Sequence, residues 1–220
     1  MQLHLHRANA KPDWELAAKR NIWQRWAARS HGLLTLPNLT SILGAAFVGA
    51  GLAYIPQGRL WLGFILMGVG RVLDVLDGFL AEKTGTKSPL GESLDATLDK
   101  LAVFAALVVF TGVGILPWPF ALLIGLENAA TSLVSLIAKS LRQVIHPGRA
   151  GKVGTAIEWL ALLGFVLGVA IHASFAHAFT YGAFVLALIS IAANGYATVR
   201  YAAELRAQQV REQRESPRKR

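Results

Sequence analysis

Four aspartates, Asp74, Asp77, Asp95 and Asp99, are spaced so that they can act together. Asp74 and Asp77 lie three residues apart near the end of one apolar run. Asp95 and Asp99 lie four apart at the start of the next. Spacings of three and four put each pair on one helix face. A short polar connection makes the two runs an antiparallel hairpin, so the acidic faces meet at one depth. Carboxylates inside membrane helices are costly and mark function. Four in one place repel unless cations neutralise them. Lys83, Lys87 and Lys100 are near but cannot neutralise all four in one cavity. A salt-bridge network built on Arg71 is the plainer alternative, and one arginine cannot pair with four acids. Ligands that are all oxygen, in a chain without cysteine, suit a hard ion such as Mg²⁺, Mn²⁺ or Ca²⁺. Gly78, Ala81 and Gly91 lie along the same faces and leave room for a ligand backbone or a phosphate.

The elements that carry these acids are apolar enough to cross a membrane. Of 220 residues, 54% are hydrophobic and only 16% charged, where a soluble domain carries about 25% charged residues. Six runs reach the roughly 20 apolar residues that a spanning helix needs: 36–55, 60–80, 94–115, 118–140, 153–172 and 176–201. Pro56-Gln57-Gly58 and Pro117-Trp118-Pro119 break the chain in tight turns, and 82–92 and 141–152 read as longer polar loops. Six spans put both termini on one side. That side holds 21 of the 22 lysines and arginines, Arg59 being the exception, so it is the cytoplasmic side of a plasma or inner membrane. The net charge of +9 then speaks to anionic headgroups and not to nucleic acid. The absence of cysteine excludes disulfides and thiolate metal sites. The N-terminal stretch has no signal-peptide core. Within it, 14–29 mixes Trp14, Leu16, Ile22, Trp23 and Trp26 with basic residues, and reads either as an amphipathic helix on the interface or as a basic tail. The expectation is an all-α integral membrane protein: a cytoplasmic segment 1–32 with the interfacial helix, a six-helix domain 33–201 that holds the site, and a basic tail 202–220, helical at first.

The acidic hairpin resembles a known signature. Asp74, Asp77, Gly78 and Ala81, then Gly91, Asp95 and Asp99, match seven of the eight fixed positions of D-x-x-D-G-x-x-A-R, about eight residues, G-x-x-x-D-x-x-x-D. That is the signature of the CDP-alcohol phosphotransferases. Pro37-Asn38-Leu39-Thr40 resembles the P-N-L-x-T that opens the family's first span. Gly151-Lys152-Val153-Gly154-Thr155 resembles the G-K-x-x-T that opens its fifth. The resemblance covers roughly residues 14–201. The departure is Glu82, where the family has an arginine that meets the CDP phosphates. A lysine, Lys83 or Lys87, is the expected substitute.

The resemblance implies a membrane enzyme of phospholipid synthesis, with a homodimer as its assembly. A CDP-linked lipid such as CDP-diacylglycerol would give its phosphatidyl group to an alcohol and release CMP. Asp74, Asp77, Asp95 and Asp99 would hold two divalent ions, Mg²⁺ or Mn²⁺, with Asp99 also the general base on the acceptor hydroxyl. Asn38, Thr40, Gly78, Ala81, Lys83, Lys87 and Gly91 would line the CDP site, with a helix N-cap as the other role open to Asn38. Arg142, Arg149 and Lys152 could bind an acceptor phosphate, or serve only as cytoplasmic anchoring. The runs 77–81 and 151–152 resemble phosphatidylglycerophosphate synthases and 95–99 the inositol-phosphate enzymes, so glycerol 3-phosphate stands first as acceptor and inositol phosphate second. Glu127, Asn128 and Glu158, mid-bundle, either hydrogen-bond inside it or line an acceptor cavity. His172 and His177 face water beside an outer loop. Trp61, Trp118 and Trp159 fit interfacial belts or packing. Two other classes stay open: a divalent-cation transporter, which would need acids continuing across the bilayer, and a catalytically silent binder of nucleotide or lipid.

Overall fold

The structure, a computed structural model, describes residue 30 and residues 35–86, 88–141, 149–171 and 175–215. Among them six helices follow one another: α1 (Leu36–Tyr54), α2 (Leu60–Thr84), α3 (Pro89–Gly112), α4 (Trp118–Ser140), α5 (Arg149–Ala170) and α6 (Ala176–Glu215). A 3-10 turn, Ile55–Gln57, joins α1 to α2. The segment expected to lie on the interface, 14–29, and most of the 141–152 connection lie outside the described residues.

Capping sets the helix ends, and it corrects the sequence-based boundaries. The polar stretch 82–92 is largely helical and leaves only residues 85–88 as a turn. α2 runs on to Thr84 and stops where Gly85 turns to φ 63°, its N–H meeting the Ala81 and Glu82 carbonyls. Only glycine takes that conformation without a Cβ penalty. α3 starts at once, because the Ser88 hydroxyl accepts from Gly91 N at 3.0 Å and Pro89 suits the first helical turn. α5 likewise begins at Arg149, four residues before the expected start. At the head of α1 the N-cap is Thr35, whose hydroxyl accepts from Asn38 N at 3.2 Å, so the cap is not Asn38.

Stretches of α1, α4, α5 and α6 are long and apolar enough to cross a bilayer: Leu36–Gln57, Trp118–Ser140, Ala150–Ala170 and Ala176–Val210. α2 and α3, with 25 and 24 residues, match them in length and carry the charged site. The outward faces are apolar: Val75 and Val108 are each 73% exposed, and Leu136, Val185 and Val199 more than half exposed. Such a surface is stable against lipid and not against water. The protein is an all-helical integral membrane protein.

Two close pairings organise the bundle, α1 on α2 and α5 on α6. Glycines make both possible. A Cβ on Gly70 would stand 2.5 Å from the Gly44 carbonyl oxygen, and one on Gly51 2.8 Å from that of Gly63. Small residues let membrane helices approach backbone to backbone. In the second pair Gly154 lies against the Asn194 side chain. Met67, Phe110, Leu162 and Phe165 fill the space between the helices. Replacing Gly70 by Ala should therefore lower the unfolding free energy in detergent by about 1–3 kcal/mol, the usual cost of overpacking. Gly68→Ala, where nothing lies within 4 Å of the added carbon, should leave stability unchanged or raise it by up to about 1 kcal/mol. Equal melting shifts in the two variants would show that the close approach is not what holds α1 to α2.

Candidate active site

The glycine-lined contact of α1 and α2 puts Ser41 beside Asp77, and the Ser41 hydroxyl donates to Asp77 Oδ2. Asp77 is buried. The tight turn at 85–88 returns α3 so that Asp95 comes level with Asp74 and Asp77. One carboxylate oxygen from each of these three lies within 4.8 Å of the others. Asp95 Oδ1 is buried and has no hydrogen-bond partner among the described residues. A buried carboxylate oxygen without a donor is costly. Three carboxylates brought this close, with a buried oxygen of one left without a donor, could hold a small divalent cation.

Asp99, one turn further along α3 than Asp95, is held differently. Its Oδ1 accepts from Arg71 Nη1 at 2.7 Å and from Trp159 Nε1 of α5 at 2.9 Å. The other end of the same guanidinium, Nη2, pairs with Asp74 Oδ2 at 2.7 Å. The guanidinium carbon lies 4.4 Å from the Trp159 ring centroid, a cation–π contact. The salt-bridge reading of the sequence thus holds for two of the four acids, Asp74 and Asp99. Asp77 and Asp95 receive no cationic side chain among the described ion pairs.

Behind the acids a polar network crosses the bundle. Lys100 Nζ donates to Asn128 Oδ1, and Asn128 Nδ2 donates to Glu158 Oε1 at 2.7 Å. Asn194 Nδ2 reaches Glu158 Oε2 at 3.3 Å and Glu127 Oε2 at 3.5 Å. Thr131 donates to Glu127 Oε1 at 2.7 Å and meets Thr198 at 2.7 Å. Asn128 and Glu158 are fully buried. These residues hydrogen-bond one another, which is the first of the two roles the sequence left open. The network joins α3, α4, α5 and α6 through the neighbours of Asp99 and Trp159, and so fixes how those two side chains meet.

The other candidate residues are placed as follows. Asn38 is buried, and its side-chain oxygen lies where a Cβ on Gly91 would be, 2.7 Å away. The Thr40 hydroxyl donates to the Leu36 carbonyl of its own helix at 2.7 Å. Gly78 faces open space, with nothing within 4 Å of an added Cβ, and Ala81 is half-buried. Glu82 and Lys83 are both exposed in the last turn of α2, and the Lys83 ammonium lies 5.7 Å from the Phe79 ring. Nine residues beyond Asp74, Lys83 is about half a turn away round the helix, so the structure does not bring it to the acids. Lys87 and Arg142 lie outside the described residues, as does His172. Arg149 opens α5, and Lys152 is exposed one turn on. His177 is exposed, as expected.

Residues 34–193 match the CDP-alcohol phosphatidyltransferase family. The chain belongs to that family. Among its relatives are the phosphatidylinositol phosphate synthase of Mycolicibacterium smegmatis, 37% identical over 84 residues, and the CDP-diacylglycerol–glycerol-3-phosphate 3-phosphatidyltransferase of Bacillus subtilis, 31% identical over 114 residues. The first alignment takes in 36% of this chain and 37% of the relative, the second 51% and 58%. The aligned part thus spans less than two thirds of either relative. The crystal structure of Mycobacterium tuberculosis phosphatidylinositol phosphate synthase in apo form shares the fold, with a TM-score of 0.56 over 80% of this chain and 93% of that one, at 22% identity. As a CDP-alcohol phosphatidyltransferase family member the chain is a membrane transferase by class, and the three-aspartate cluster lies within the matched residues.

The roles of two contributors escape a sequence reading, and that of a third is seen only in part. Ser41 and Trp159 reach the acids from other helices, with no local spacing to betray them. Arg71 is visible at three residues before Asp74, yet its second partner, Asp99, lies 28 residues on.

Proposed function

We propose that this protein transfers the phosphatidyl group of CDP-diacylglycerol to a hydroxyl of a small alcohol and releases CMP. Glycerol 3-phosphate is the favoured acceptor and inositol phosphate the second. The observation that carries the reading is the convergence of Asp74, Asp77 and Asp95 to within 4.8 Å on the family's signature. A crystal structure of the related M. tuberculosis synthase with CDP-DAG bound shares the fold, with a TM-score of 0.54, which supports the same donor.

Divalent ions, Mg²⁺ or Mn²⁺ and two in number, would polarise the phosphoryl oxygens and stabilise the leaving CMP. Asp74, Asp77 and Asp95 would hold the first, and Asp99 would serve the second. Ser41 orients Asp77, so one of its oxygens faces the cluster. Gly78, with nothing within 4 Å of an added Cβ, would let the donor's phosphates come close to the α2 backbone. Asp99 takes the proton of the acceptor hydroxyl as the acceptor oxygen bonds to phosphorus and the bond to the CMP oxygen breaks. Arg149 and Lys152, at the start of α5, bind the acceptor's phosphate. α2 and α3 span the membrane with the other four helices, and both termini and the site are cytoplasmic.

Three measurements test this reading. Asp77→Asn and Asp95→Asn should each abolish CMP release from CDP-diacylglycerol while the purified protein keeps its melting temperature, because an amide keeps the shape and removes the charge a hard cation needs. Near-normal turnover in either variant would overturn the metal assignment, and no CMP release by the unaltered protein with any acceptor would leave a silent binder. Arg149→Ala and Lys152→Ala should raise the acceptor KM roughly ten- to a hundredfold, the loss of one charge-assisted hydrogen bond, and barely move the donor KM. An unchanged acceptor KM in both would reduce the pair to membrane anchoring. A cysteine placed at Thr86, in a chain with no other, should resist an impermeant maleimide added to intact cells, and labelling from outside would reverse the orientation.

A further inference from the structure

We propose that Arg71 makes cation loading of this site sequential: it serves as a built-in cation for the Asp74–Asp99 half, so that a first divalent ion binds at Asp77 and Asp95, with Asp74 shared, and a second binds at Asp99 in competition with the guanidinium. The inference rests on the metal reading above and adds an order to it.

The two halves of the acidic site differ in what neutralises them. On one side Asp74, Asp77 and Asp95 bring three oxygens within 4.8 Å, and Asp95 Oδ1 has no donor. A cation entering there meets two acids, Asp77 and Asp95, that no described cationic side chain pairs, and shares only Asp74 with Arg71. On the other side both ends of the Arg71 guanidinium are engaged, Nη2 with Asp74 Oδ2 and Nη1 with Asp99 Oδ1, each at 2.7 Å. The arginine and aspartate side chains there are between 15% and 23% exposed, so water screens the pairs only in part. Asp99 Oδ1 also accepts from Trp159 Nε1. An ion that takes Asp99 through Oδ1 must compete with a cation already in place, and one that takes Oδ2 meets a carboxylate whose charge Arg71 already offsets.

Arginine cannot yield by losing its proton, because it stays charged at any working pH. It must move. The Trp159 ring, 4.4 Å from the guanidinium carbon, offers a surface on which the freed group keeps part of its stabilisation. The indole N–H can stay on Asp99 meanwhile. The residue expected to take the acceptor's proton is therefore tied up until the second half of the site is filled. Breaking one charge-assisted bond costs roughly ten- to a hundredfold in affinity, and that factor should separate the two ions.

The test is a Mn²⁺ titration of the purified protein, with free Mn²⁺ counted by electron paramagnetic resonance, so that no turnover is needed. The unaltered protein should bind one ion tightly and a second at least ~10-fold more weakly. Arg71→Gln should tighten the second ion by a similar factor and the first, which shares only Asp74 with Arg71, by clearly less. Arg71→Lys, whose single ammonium cannot bridge both carboxylates, should fall between and serves alone if the glutamine variant does not fold. Two equivalent ions in the unaltered protein, or a second ion that neither substitution tightens, would overturn the inference while the metal reading stands. Failure to bind Mn²⁺ at all would overturn both.

Discussion

Like-charge repulsion sets the terms for this structure. Unit charges about 5 Å apart repel by roughly 3–4 kcal/mol at an effective dielectric near 20. Three carboxylates within 4.8 Å of one another make three such pairs, on the order of 10 kcal/mol. That equals the whole stability of an ordinary domain, about 5–15 kcal/mol. Only a rigid frame together with positive charge or a shared proton can hold the acids so. The frame consists of the glycine contact that presses α1 on α2, the Gly85 stop and Ser88 restart that bring α3 back within four residues, and the Thr35 cap that fixes the start of α1. Each is a backbone device, indifferent to charge, and each removes a direction in which the acids could separate.

The protein neutralises its buried acids in two ways. Glu158 is as buried as any residue in the bundle, yet it meets amide donors, Asn128 and Asn194, with Lys100 one bond further off. Neutral donors on both oxygens leave no call for an added ion. The signature aspartates have the opposite surroundings: one arginine, one serine hydroxyl, one indole N–H and an oxygen with nothing. The contrast separates a structural carboxylate from one whose partner comes from outside. It also bears on the transporter reading, which needs acids continuing across the membrane as ion stations. The deep ones here are satisfied by protein side chains: Glu127 by Thr131 of its own helix and Asn194 of α6, and Glu158 by Asn128 of α4 and Asn194.

The chemistry was more legible in the sequence than the frame that supports it. Asp74, Asp77 and Asp95 could be read because i,i+3 and i,i+4 spacings and a short turn fix a shared face without any tertiary knowledge. The run 118–140 could be read to the residue, since prolines mark its start. The helix ends at 82–92 could not, because polar residues such as Glu82, Lys83 and Glu92 suggest a loop by composition, whereas capping at Gly85 and Ser88 decides the matter locally. Ser41 and Trp159 were illegible for another reason. Their role depends on which faces of α1 and α5 turn toward α2 and α3, and apolar helices in lipid carry little amphipathic signal to say so. Asn38 was misread as a possible cap because Thr35, three residues earlier, competes for the same backbone donors.

Glu82 can be weighed on the same electrostatic terms. Residues 71, 74, 78 and 82 fall on one stripe of α2, at steps of three and four. The family pattern closes that stripe with an arginine at its water end. Here the stripe ends in an exposed glutamate, and the positive charge tied to the acids is Arg71, eleven residues or about 16 Å deeper. A cation at the water end would help to draw in an anionic donor but would be screened by solvent. One at residue 71 acts with little screening, on Asp74 and Asp99 directly, and from beneath the cluster. A carboxylate at residue 82 costs little where solvent reaches it, and would cost far more at the depth of Asp77. The departure from the signature thus sits at the one point of the stripe where reversing a charge is cheap, while the less exposed end carries Arg71.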